Sequence, residues 1–131
     1  MSILKVFNNH FVEFWDDILH VFPNDINIKT ARLFIVNINK VNPTLVVKCW
    51  YEYVVKPYIS NIKKGNFDFF IKKDYTDDLG TSSQYDSPKM LEIIKELKDK
   101  ASRMGEHNHE KVIKYLQNLT KLCNLFFNIS D

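Results

Sequence analysis

Apolar residues recur along this chain at the three-and-four spacing of amphipathic helices almost throughout. Phe7, Phe11, Phe14, Ile18 and Phe22 share one face of a first helix running from about Leu4 to Val21. Pro23-Asn24-Asp25 reads as a connector, with Asp25 as N-cap of a second helix that continues to about Lys40. Its stripe is Ile28, Ala31, Ile35, Ile38 and Val41. Asn42-Pro43 combines a capping side chain with proline, a start signal for a third helix bearing Val46, Trp50, Tyr53 and Val54. Pro57 removes a backbone donor and crowds the preceding turn, which predicts a kink or break near Tyr53 to Val54. Gly65-Asn66 closes that element, and Phe67 to Ile71 reads as one helical turn capped by Asn66.

The stretch from Asp74 to Asp86 is polar and aperiodic, and it reads as a mobile acidic loop and the one hinge in the chain. Ser87-Pro88 then repeats the cap-plus-proline signal. Met90, Ile94, Leu97, Ala101 and Met104 form one stripe, which Gly105 terminates. Val112, Leu116, Leu119, Cys123 and Phe126 form another, on a helix opening near Asn108. Two matched stripes joined by a short turn predict a helical hairpin with coiled-coil-like packing. The fold expected is an all-α single-domain bundle of five or six helices. Its parts are N-terminal helices over 4–72, an acidic loop over 74–87 and a C-terminal hairpin over 88–128.

Composition adds little to that architecture. A chain of 131 residues, 45% hydrophobic and 14% aromatic, is long enough to bury a core without staples. Three glycines and four prolines argue against a turn-rich β-sandwich. Two cysteines, Cys49 and Cys123, are too few for a disulfide framework and read as reduced, buried thiols. No apolar run approaches the roughly 20 residues needed to cross a bilayer. The first residues show neither a secretion signal nor a myristoylation signal, so a soluble intracellular protein is expected. Lysine far outnumbers arginine and asparagine is abundant, the usage of an AT-rich genome.

Charge is unevenly placed. The formal net charge is +2, yet residues 26–73 hold nine Lys/Arg against only Glu52 and Asp68. Such a segment is either an anion-binding surface or one half of a self-complementary pairing with the acidic flanks. Lys56, Lys63, Lys64, Lys72 and Lys73, with interleaved aromatics, suit phosphate contacts and base stacking. The competing reading turns Trp50, Tyr53 and Val54 into the core and leaves the lysines as a solvated face.

Catalytic and metal patterns are sparse. Asp16 and His20 stand four apart on one helix face, spaced for a carboxylate-oriented histidine, but no nucleophile motif accompanies them. Glu106-His107-Asn108-His109-Glu110 offers four potential metal ligands in five residues. On a helix, though, His107 and His109 diverge by about 200° and cannot share an ion. Asp74, Asp77 and Asp78 lack the spacing, central glycine and closing glutamate of a calcium loop. With three glycines there is no phosphate-binding loop. No catalytic residue, metal ligand or cofactor is assigned, and a non-enzymatic protein is expected.

Three segments carry a resemblance. Trp50 to Tyr58 reads W-x-E-Y-V-x-x-P-Y, Asp68 to Tyr75 reads D-F-F-x-x-x-D-Y, and Tyr115 to Leu122 reads Y-x-Q-N-L-T-K-L. In these the chain resembles a group of small helical proteins of large double-stranded DNA viruses of algae and amoebae, over most of its length. The resemblance implies a viral source and a place in the viral factory or cytoplasm of an infected host, or in the virion. It transfers no catalytic residue. The leading expectation is an interaction protein that binds another viral protein, or itself, through helix faces. Tyr51, Tyr58 and Phe69 or Phe70 are its candidate exposed anchors. The alternative is a small DNA- or RNA-associated protein using the lysines named above.

Overall fold

The computed structural model describes residues 2–71 and 88–129, apart from the side chains of Phe69, Ile71, Glu106 and His107. The acidic loop expected over 74–87 lies outside the described residues, as do Lys72 and Lys73. Helix α1 (Ile3–Val21) opens at Ser2, whose hydroxyl accepts the Lys5 N–H at 3.1 Å. It buries Phe7, Phe11, Phe14, Trp15 and Ile18. Asp25 caps α2 (Ile26–Val41) as its sequence position predicts, its carboxylate accepting the N–H groups of Asn27 and Ile28 at 2.9 and 3.2 Å. Helix α2 runs antiparallel to α1, because Asn8 donates to the Pro43 carbonyl near one end and Arg32 pairs with Asp16 nearer the other.

Helix α3 (Leu45–Trp50) starts two residues later than the Asn42-Pro43 signal suggests. Asn42 closes α2 instead: its N–H donates to Ile38, and its carbonyl then accepts from Leu45 across the turn. The expected break before Pro57 is present, and its form is a π-helical continuation over Tyr51–Val55. There the Lys56 N–H reaches back five residues to Tyr51 at 2.8 Å. A proline ring collides with the carbonyl four residues earlier, here Tyr53, and widening the turn by one residue relieves that crowding. The chain restarts as α4 (Ile59–Lys63), turns at Gly65 with φ +72°, and forms α5 (Asp68–Ile71). The Asn66 side chain accepts the Asp68 N–H at 3.0 Å, as expected of its cap.

Helices α6 (Pro88–Ser102) and α7 (Glu106–Phe127) follow one another through a short turn at Gly105, φ +86°. The described residues form an all-α single-domain bundle without strands. Its long units are α1, α2, α3 with its π continuation, α6 and α7, while α4 and α5 are about one turn each. The packing of the last two helices departs from the coiled-coil expectation. Helix α7 lies chiefly along α1, and α6 packs chiefly against α5. The aromatic face of α1 offers α7 more apolar area than the Met/Ile/Leu stripe of α6.

Trp50 sits at the centre, fully buried, with ring centroids of Phe7, Phe11 and Phe70 at 6.4, 5.8 and 5.8 Å. Asp25 also ties α2 to α6 through the Lys100 ammonium at 2.8 Å, which Glu96 approaches at 3.5 Å. The hydrogen bond from Lys100 holds the Asp25 carboxyl below its ordinary range, and the same contact raises Lys100. A lowered folded-state carboxyl contributes stability that is complete above about pH 4 and is lost as pH falls through the lowered value. Asp25→Ala is therefore expected to cost about 1–2 kcal/mol at neutral pH, from lost cap and ion pair together. The difference from wild type should shrink below about pH 4, which urea melts at stepped pH will read.

Candidate protein-binding surface

Tyr51, on the π-helical stretch, is half-buried, with its ring centroid 5.3 Å from that of Phe127. Phe127 in turn meets Phe126 edge-on at 5.0 Å. Beside them Leu125 is 53% and Ile129 37% exposed. The turn that ends α7 fixes this corner: Asn128 is left-handed at φ 59°, and the Ile129 N–H returns to Asn124 at 2.8 Å. The result is a chain of three rings with two exposed aliphatic side chains close by in sequence. Aromatic side chains of this kind bring large contact area with little rotamer entropy to lose.

The other expected anchors fare differently. Phe70 is fully buried against Trp50, so the expectation of an exposed anchor is corrected there. The one-turn helix α5 packs on α6 and turns this ring into the core. Tyr58 is half-buried, and the Lys98 ammonium lies 5.2 Å from its ring centroid, so it covers a buried cation. The Phe69 side chain lies outside the described residues.

Of the lysines read as an anion surface, Lys56 is exposed and stands 3.7 Å from Glu52 on the same helical face. Lys63 and Lys64 are exposed at the end of α4. Two of the four aromatics that interleave with them in sequence, Trp50 and Tyr53, do not share that face. Trp50 and Tyr53 turn inward, while Tyr51 and Tyr58 are half-buried, Tyr51 against Phe127 and Tyr58 over Lys98.

Asp16 does not pair with His20 as its spacing suggested; the Arg32 guanidinium reaches it from α2. A guanidinium fork between two helices is the better partner for a carboxylate than an exposed imidazole. His109 is half-buried in the first turn of α7, and no group of three metal-ligating side chains gathers among the described residues. Cys49 and Cys123 are buried and free, as read from the sequence. Burial pushes both thiols up to about 12, which keeps them protonated and poorly nucleophilic at neutral pH.

Two constellations escaped the sequence reading. At the seam of α1 and α7 the Tyr115 hydroxyl donates to the Asp17 carboxylate, which Lys111 approaches at 3.6 Å. Phe14 stacks on the Tyr115 ring at 4.6 Å, and His10 tilts against it at 4.8 Å. Burial, then Asp17, raises the phenol far above its ordinary value, so it serves as a donor and not as a base. The second is Lys98, only 1% exposed, with its ammonium between the rings of Tyr58 and Phe70. Neither pattern has a local signal, since each partner is distant in sequence.

No family model, curated protein or solved structure matches this chain. No helix among the described residues is long and apolar enough to cross a membrane.

Proposed function

We propose that this chain is a non-enzymatic interaction protein that binds another protein, or a second copy of itself, through helix faces. The observation that carries the reading is the ring line Tyr51–Phe127–Phe126 at the end of α7, where Leu125 and Ile129 are exposed. Binding hot spots are apolar and aromatic side chains that a partner desolvates completely, and this corner offers half-buried rings beside exposed aliphatics. The viral setting, as a minor virion or assembly component of a large DNA virus, rests on the resemblance in residues 50–58, 68–75 and 115–122. The second reading is a small DNA- or RNA-associated protein, supported by exposed Lys56, Lys63 and Lys64 and weakened by the inward turn of Trp50 and Tyr53.

The test is affinity capture from infected cells, with nuclease-treated and untreated halves, using wild type and the double variant Tyr51→Ala, Leu125→Asp. A partner retained after nuclease and lost by the double variant, with helicity unchanged by circular dichroism, is the expected result. Equal capture by both proteins would overturn the assignment of this corner. Partners released by nuclease, with binding that falls steeply between about 50 and 200 mM salt, would establish the second reading.

A further inference from the structure

Helix α2 keeps an apolar ridge in solvent. Ile26, Leu33 and Val41 are 74, 59 and 81% exposed, while Ile28, Ala31 and Ile35 form its buried side. At 100° per residue the three exposed side chains fall within about 80° of one another, spaced about 10 and 12 Å along the axis. Exposed Thr30 and Asn37 lie on the same stripe. Single exposed aliphatics are ordinary, but three aligned on the outer face of one 16-residue helix make a seam.

The helix that bears the ridge carries charge of one sign within its span. Helix α2 contains Lys29, Arg32 and Lys40 and no carboxylate. Arg32 is taken by Asp16, whereas Lys29 and Lys40 are exposed. Grooves flank the ridge on both sides. Lys5 and Lys40 line the one toward α1, over Val12 and Val36. Lys89, its ammonium 5.6 Å from the Phe34 ring, lines the one toward α6. The carboxylates in that second groove are Glu92, which is exposed, and Glu96, which lies beside Lys100.

We infer that the outer face of α2 is a docking surface for an acidic amphipathic helix of another protein. The partner's apolar side chains straddle the Ile26–Leu33–Val41 ridge, and its carboxylates meet Lys5, Lys29, Lys40 and Lys89. A second copy of α2 is the wrong occupant, because it would set lysines against lysines. A polyphosphate backbone is a poorer fit, since Lys29 and Lys40 stand about 16 Å apart along the axis with aliphatic side chains between them. The surface is independent of the Tyr51 corner.

The experiment titrates the full chain into fluorescein-labelled peptides of roughly 18 residues, long enough for the helix-in-groove mode. One is a leucine-faced helix flanked by glutamates, one the same helix with lysines for the glutamates, and one a scramble of the first. Duplex DNA and phosphatidylserine vesicles complete the set. The acidic helix is expected to bind at least about tenfold more tightly than either other peptide. Leu33→Asp should abolish that binding, Lys29→Glu with Lys40→Glu should reverse the peptide preference, and Tyr51→Ala should leave it unchanged. Thermal melts of these exposed-site variants should overlay wild type. Peptide binding that ignores charge, binding that survives Leu33→Asp, or tighter binding to DNA or vesicles than to the acidic helix would each overturn the inference.

Discussion

Replacing Trp50 with alanine is expected to cost about 3–5 kcal/mol of folding stability, the range for truncating a fully buried large aromatic. The indole has no solvent exposure and touches rings from α1 and α5, while its N–H donates to Thr120 of α7 at 3.4 Å. Truncation therefore opens a cavity where four helices meet and leaves the Thr120 hydroxyl without its indole donor. Because a domain of this size has a total stability of about 5–15 kcal/mol, the variant should stand near the edge of folding at 37 °C. Trp50→Phe keeps most of the apolar volume but loses the donor, and a smaller loss of about 1–2 kcal/mol is expected. Urea midpoints for the two variants, with unchanged slope, check the order. A loss below about 1.5 kcal/mol for the alanine variant would mean that the surrounding rings collapse into the space and that Trp50 is not the hub.

Much of this core was legible because helix periodicity states which residues face inward. Phe7, Phe11, Phe14 and Ile18, then Met90, Ile94, Leu97 and Ala101, then Val112, Leu116, Leu119 and Cys123 are all buried as spaced. Local chemistry was legible for the same reason: the Asp25 cap, the Asn66 cap and the disruption before Pro57 depend on neighbours in sequence. What periodicity does not encode is the partner across the interface. The stripes of α6 and α7 match each other, yet α7 lies along α1 because the aromatic face there is larger.

Val41 shows the same limit from the other side. Its 3-4-3-3 spacing from Ile28 drifts round the helix, so that by Val41 the side chain stands about 120° from Ile35, on the outer face with Leu33, and it is left 81% exposed. The candidate surface was legible in part. Tyr51 was singled out from sequence, whereas its ring neighbour Phe127 lies 76 residues away and leaves no local trace. Within four-residue α5, adjacent Phe69 and Phe70 give periodicity too little length to say which ring turns inward.

Lys98→Ala is the second large effect expected, about 2–4 kcal/mol, at a position that composition alone would assign to solvent. Lys98 is one residue past Leu97 and four past Ile94, so it stands at the edge of the α6 stripe, where a long aliphatic stem can lie on apolar neighbours. Its ammonium is 5.2 Å from the Tyr58 ring centroid and 5.6 Å from that of Phe70. A desolvated cation over an aromatic face is worth about 2 kcal/mol or more, and here two rings share it. Lys98→Met separates the contributions, because it keeps the stem and removes the charge. The expected order of urea midpoints is wild type, then Met, then Ala. A methionine variant as stable as wild type would mean that desolvating the ammonium cancels its attraction to the rings, as is common for buried charges. In that case Tyr58 and Phe70 hold the stem alone. Either way Tyr58 is committed to covering this side chain, so Lys98→Ala should raise the solvent accessibility of the Tyr58 ring. Tyrosine nitration located by peptide mass spectrometry, which separates Tyr58 from the other five tyrosines, reads that directly, and no change in accessibility would detach Tyr58 from Lys98.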